Sequence, residues 1–113
     1  MASPQRGEVW YCNLDPTKGH EQAGKRPVLV MSVDDFNSGP ADLVVVLPIT
    51  GTERGIPWHV PIKAGEGGLK KQSFVLVEMV RSVSKSRLAN RLGKVSPATL
   101  RQVEARLRIL MEL

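Results

Sequence analysis

The sequence predicts a small, mainly β domain: a strongly bent antiparallel sheet or barrel of about six short strands, capped by one C-terminal helix. Three observations carry this reading. Apolar and β-branched runs of strand length recur between residues 7 and 95, separated by Gly, Pro, Asn and Asp. Leu100, Val103, Leu107 and Leu110 fall at spacings of three and four, which gives the last stretch one helical stripe. A chain of 113 residues with 42% hydrophobic content is enough for one core, so a single domain over 1–113 is expected, with 1–5 as a disordered N-terminus.

The first strand is expected over Gly7–Leu14, where Val9, Trp10 and Tyr11 are strand formers and Asp15-Pro16 stops the run. Residues 15–25 form a connection longer than usual, the kind that carries function or is disordered. Strand two is Pro27–Val33. Asp34–Pro40 holds the turn cluster Asn37-Ser38-Gly39-Pro40, with room for one helical turn after Asp34. Leu43–Ile49 is the third strand; its lack of alternation predicts cover on both faces, and Pro48 predicts an edge or a bulge at its end. A polar loop, Thr50–Gly55, leads to a short strand at Trp58–Ile62 and a turn at Gly65–Gly68. Phe74–Val83 is strand-like but interrupted by Glu78 and Arg81, which a buried strand does not choose without a reason. One helical turn fits Ser84–Ala89, a last short strand Leu92–Val95. Ser96-Pro97 then supplies a capping hydroxyl and a proline at the first helical position.

The net charge is +5, and its distribution says more than its size. Residues 81–113 hold eight Lys or Arg against two Glu, whereas residues 1–80 hold eight basic against nine acidic. The excess in the last third fits either a face for a polyanion or acidic segment, or a solubilising surface. Cys12, the single cysteine, excludes an internal disulfide and reads as a small buried hydrophobe. No segment approaches the roughly 18 apolar residues of a membrane span, and residues 1–5 lack a signal-like start, so a cytoplasmic protein is expected. Arg26 stands at a loop-to-strand junction, because Pro27 forces it into extended geometry ahead of Val28-Leu29-Val30. It is either an anion-binding group facing what the Gly19–Gly24 loop covers, or a solvated charge beside a core strand.

Three segments, taken together, resemble one family. They are Arg6-Gly7-Glu8-Val9-Trp10, Leu14-Asp15-Pro16-Thr17-Lys18-Gly19-His20-Glu21-Gln22-Ala23-Gly24-Lys25-Arg26-Pro27-Val28, and Val46-Leu47-Pro48-Ile49-Thr50. The chain from Arg6 to the terminal helix is similar to the MazF/PemK (Kid) toxins of toxin-antitoxin pairs. The resemblance implies an SH3-like barrel acting as a homodimer on single-stranded RNA, a sequence-specific endoribonuclease that uses no metal and no cofactor. Its cleavage by ribose 2′-hydroxyl attack would leave a 2′,3′-cyclic phosphate and a 5′-hydroxyl.

By the same resemblance Arg26 and Thr50 are the catalytic residues. The first offers a permanent charge and a bidentate fork to a phosphorane, the second a hydroxyl to a phosphate oxygen or the nucleophile. His20 is the candidate whose free pKa lies near neutrality, and it occupies a position that varies in the family, so it reads as a phosphate or base contact ahead of an obligatory acid or base. Glu78 and Arg81 match the family's Asp/Glu-Gln-x-Arg/Lys segment. Arg81 is a phosphate ligand or an ion-pair partner, of Glu78 or of an acid on the other subunit. Met79 replaces the usual Gln, and Leu76 stands where some relatives carry a catalytic Arg. Glu21 and Gln22 either hydrogen-bond RNA bases or hold the loop closed; Lys25 is expected at the RNA, as are Ile56, Pro57 and Trp58, and Trp58 has a place in the core as its other reading. His59 reads as a structural strand residue.

Two rival functions fit the same fold. A CcdB-like gyrase poison depends on a C-terminal tryptophan, whereas this chain ends Met111-Glu112-Leu113. A non-catalytic RNA- or peptide-binding module has no need to keep Arg26 and Thr50 together. The expected partner beyond RNA is a cognate MazE-like antitoxin with an acidic C-terminal segment that is disordered until bound.

Overall fold

Each strand region expected from the sequence forms a strand, and the interrupted run from residue 73 to 84 forms two. The computed structural model describes residues 3–16, 18–20 and 24–113. Among them the strands are β1 (Glu8–Asn13), β2 (Lys25–Val30), β3 (Leu43–Thr50), β4 (His59–Ile62), β5 (Ser73–Leu76), β6 (Arg81–Ser84) and β7 (Leu88–Lys94). The helices are a single turn, α1 (Asp34–Asn37), and the terminal α2 (Pro97–Met111). Tight 3-10 turns occupy Glu66–Gly68, Val77–Met79 and Lys85–Arg87.

Neighbouring strands run in the order β4-β5-β3-β2-β1-β7, with β6 also on β3, and all pairings are antiparallel. β3 is therefore central, not the edge that Pro48 suggested. β6 pairs residues 43–46 of β3 and β5 pairs residues 49–50, so Pro48 falls in the gap between them, where no ladder donor is required. β7 begins at Leu88, earlier than its sequence suggests. Its first half has little strand character and is recruited by pairing Leu88 with Cys12 and Arg91 with Trp10 across two irregularities in register.

Both faces of the bent sheet are buried, as the unalternating β3 run predicts. One core joins Val9, Leu29, Leu47, Ile49, Val60, Ile62 and Val75 to Val103 of α2, and Leu100, Leu107 and Leu110 pack against it. The other joins Trp10, Cys12, Leu14, Val28, Val30, Val44, Val46 and Val83. The period of two along β1 and β2 sends successive residues to opposite cores. Each fully buried aliphatic side chain contributes about 1.5–3 kcal/mol of transfer free energy. Ser96 caps α2 as expected, its hydroxyl oxygen accepting from the Thr99 amide at 3.2 Å with Pro97 at the first position.

The N-terminal segment departs from the disordered stretch expected over 1–5. Pro4 is buried and its carbonyl accepts from Asn37 Nδ2 at 3.0 Å, while the Gln5 amide donates to Glu8 Oε1 at 2.7 Å; Met1 and Ala2 lie outside the described residues. Arg6 continues the anchorage, donating to the Met31 carbonyl and to Glu104 of α2 at 2.6 Å.

One close approach fixes the turn before β5. A Cβ on Gly68 would lie 2.0 Å from the Leu92 carbonyl oxygen, and one on Gly93 would lie 2.5 Å from the Gly67 carbonyl carbon. Backbone meets backbone there, and Glu66 ties the same turn to α2 by accepting from the Ser96 amide at 3.0 Å.

Candidate active site

The described register of β2 with β3 ends at Val28 opposite Pro48. Arg26 and Thr50 lie two residues beyond that pair on their own strands, and both line one pocket. Past Pro48 the partner of β3 is β5, with Ile49 opposite Val75 and Thr50 opposite Phe74. The opening at this change of partner is a pocket of about 530 Å³, lined by Gly24–Pro27, Ile49–Gly51, Leu69–Lys71 and Ser73. Pro27, Ile49 and Leu69 give it apolar surface. Lys25 and Arg26 stand on one side and Lys70 and Lys71 on the other, with no carboxylate among the lining residues. Thr50 is only 4% exposed, and its Oγ1 accepts from the Thr52 amide at 3.2 Å, which leaves its proton to donate elsewhere.

The connection from β1 to β2 is held at its two ends. Leu14 N donates to the Gly24 carbonyl at 2.9 Å, and Gly24 N donates to Asp15 Oδ1 at 2.9 Å. Two arginines, from β6 and from the 3-10 turn after it, reach the same place. Arg81 Nη1 donates to the Leu14 carbonyl at 3.4 Å, and Arg87 Nη1 donates to the carbonyls of Asn13 and Asp15. Cys12 lies beneath them; burial pushes its thiol pKa up, against the pull of Arg81 and Arg87, so it stays a packing residue.

Of the residues singled out in the sequence, Lys25, Arg26 and Thr50 come together in the pocket. His20 is exposed and is not among the lining residues. Glu21 and Gln22 lie outside the described residues. Glu78 sits in the 3-10 turn after β5 and faces His59 at 2.8 Å, not Arg81. Arg81 donates instead to the Leu14 carbonyl, so these two do not form a pair. Ile56, Pro57 and Trp58 do not line the pocket; the Pro57 carbonyl accepts from Arg106 Nε of α2 at 2.9 Å. Sequence reasoning passed over Lys70 and Lys71. The signal was a lysine pair between a glycine-rich turn and a strand.

The fold and the pocket define a class: a small bent β-barrel protein with a cationic cleft, suited in shape and charge to a phosphodiester. The chain belongs to the PemK-like, MazF-like toxins of type II toxin-antitoxin systems, matching that family over residues 5–111. It is 32% identical to endoribonuclease EndoA of Bacillus subtilis over 110 residues, covering 96% of this chain and 95% of EndoA. It is also 32% identical to endoribonuclease MazF9 of Mycobacterium tuberculosis, over 96% of this chain and 97% of that one. Among solved structures, MazF from Deinococcus radiodurans superposes with a TM-score of 0.88 at 32% identity, covering 98% of both chains. An endoribonuclease from a mycobacterial species, in complex with its cognate antitoxin, superposes with a TM-score of 0.79 at 26% identity, covering 100% of this chain and 97% of that one.

Proposed function

We propose that the protein is the toxin of a type II pair and acts as an endoribonuclease on single-stranded mRNA in the cytoplasm, silenced there by its antitoxin. The observation that carries this is that Arg26 and Thr50 line the same pocket, with four cations and no carboxylate among its lining residues. The ribose 2′-oxygen attacks phosphorus and loses its proton, the bond to the 5′-oxygen breaks and that oxygen gains a proton. A 2′,3′-cyclic phosphate and a 5′-hydroxyl result. Arg26 holds the phosphorane by two parallel charge-assisted hydrogen bonds, and Thr50 donates to a non-bridging oxygen. No imidazole or carboxylate lines the described pocket, so electrostatic stabilisation is the main contribution here and His20 a secondary one.

The working unit is a twofold dimer of one 1–113 domain. Exposed apolar residues support it: Val33, Phe36 and Leu43 around α1, and Ile109, Met111 and Leu113 at the end of α2. The antitoxin is an acidic segment with apolar anchors that lies along the cationic groove and competes with RNA.

Incubation with a long unstructured RNA in EDTA tests the reading. Discrete cuts with cyclic-phosphate ends are expected; an intact RNA at micromolar protein would refute it.

A further inference from the structure

Gly51 follows Thr50 directly, and its missing side chain is occupied by a lysine. A Cβ at Gly51 would lie 2.7 Å from Lys71 Cε and 2.9 Å from Lys71 Nζ. The ammonium therefore lies against the backbone next to Thr50, in the pocket that Arg26 also lines. Among the described residues no carboxylate pairs with Lys71. The segment that presents it is fixed on both sides. Upstream, the Gly68 and Gly93 backbones are in contact, Leu69 is buried in the core and its amide donates to the Glu66 carbonyl at 3.1 Å. Downstream, the Lys71 carbonyl accepts from Ser73 Oγ at 3.1 Å at the start of β5.

From this placement we infer that Lys71 is a second ligand of the phosphate held by Arg26 and Thr50, and that Gly51 is the seat that admits its ammonium. The inference rests on the RNA-cleavage reading for its ligand. The geometry divides the labour. Arg26, a planar fork on β2, can take two oxygens from one side, while Lys71, a compact charge with three donors, takes an oxygen from the other. A phosphorane carries more charge than the ground-state diester, so two opposed cations favour the transition state over bound substrate.

Gly51 makes the inference testable without touching the lysine. It is not among the positive-φ glycines, so Ala at 51 brings no left-handed strain, and the atoms it displaces are the far end of a flexible side chain. Gly51→Ala should fold normally and push the ammonium away. Four proteins are to be compared: wild type, Lys71→Gln, Gly51→Ala and the double variant, with exposed Lys63→Gln as a control outside the pocket. The first readout is anisotropy of a short labelled 2′-deoxy oligonucleotide across a salt series. Lys71→Gln and Gly51→Ala should each make the slope of log K against log salt shallower by about 0.7, the loss of one phosphate contact on a single strand, and Lys63→Gln should not. The second is RNA cleavage, where each single variant should lose about a hundredfold in kcat/KM, mostly in kcat, and the double variant little more than either. Unchanged slope and rate in Lys71→Gln would overturn the inference, as would a Gly51→Ala defect that persists in full once Lys71 is already gone. If wild type cuts no RNA while the salt slopes shift as stated, the phosphate site stands and the cleavage reading falls.

Discussion

His59 Nε2 and Glu78 Oε2 lie 2.8 Å apart, and the second polar atom of each, His59 Nδ1 and Glu78 Oε1, is buried with no hydrogen-bond partner among the described residues. The two come from different elements, β4 and the 3-10 turn after β5, so the contact joins them across the sheet edge. A carboxylate engaged in this way acts as a tether away from the pocket, since Glu78 is not among the lining residues. Removing Glu78 leaves the His59 ring, 4% exposed, buried and unsatisfied, a cost of about 1–3 kcal/mol, whereas Glu78, 27% exposed, can turn to water. Glu78→Ala should therefore lower the unfolding midpoint, while Glu78→Gln, whose amide can still meet the imidazole, should cut RNA within a few-fold of wild type. A hundredfold or greater drop in kcat for folded Glu78→Gln would make Glu78 a general base instead.

Arg26→Ala and Thr50→Ala should each cost about a hundredfold to a thousandfold in cleavage rate, the usual loss for one transition-state donor. The fold should be intact in both, and much of the RNA affinity should remain with the lysines. His20→Ala should cost less, since His20 is exposed and lies outside the pocket lining. Single-turnover rates at neutral pH decide this, and a larger loss for His20→Ala than for the other two would put imidazole chemistry at the centre.

Arg87→Ala should slow cleavage about tenfold to a hundredfold although Arg87 is not a pocket residue, because it releases the carbonyls of Asn13 and Asp15, and the Asp15 side chain in turn holds the amide of the pocket residue Gly24. Limited proteolysis within residues 15–24 should speed up while the unfolding midpoint barely moves. Unaltered proteolysis and rate would show that the loop is held without it.

Acid should unfold the protein partly through two glutamates. Burial pushes the Glu8 carboxyl up, but hydrogen bonds from the Gln5 amide, Trp10 and Arg91, with the charge of Arg91, outweigh it and hold the pKa below its ordinary 4.5. At Glu66 burial is outweighed in the same way by Thr99 and Ser96, with Lys63 nearby. A carboxyl depressed by folding stabilises the native state above its unfolded pKa, and that contribution is lost as pH falls through the folded value. Stability measured by urea unfolding should thus decline below about pH 4.5. Glu8→Gln should be less stable at pH 7 and decline less steeply in acid; parallel pH profiles would contradict this assignment.

The part of the site that could be read from the sequence is the part that backbone chemistry dictates. Pro27 sets the geometry of Arg26, and a polar residue closing an apolar run marks Thr50. Lys71 could not be read in this way, because its position depends on a side chain that Gly51 lacks and on the Gly68 and Gly93 contact, both tertiary facts. Glu78 and Arg81, three residues apart, suggested a pair; Glu78 lies in the 3-10 turn at Val77–Met79 and Arg81 opens β6, and they meet different partners, His59 and the Leu14 carbonyl. Pro48 misled for a related reason. A proline in a strand signals a missing ladder bond, and only the arrangement of β5 and β6 shows that no donor is required there.

The hold of Arg81 and Arg87 on the carbonyls of Leu14, Asn13 and Asp15 bears on how this protein behaves under genetic selection. Colonies that survive its expression would be expected to carry lesions at the pocket, but also at the start of β6 and in the 3-10 turn after it, which lie outside the pocket lining. A map of such escape mutations would therefore extend beyond the residues that meet the substrate. Read without the hydrogen bonds that these arginines make, their positions would be taken for another binding site.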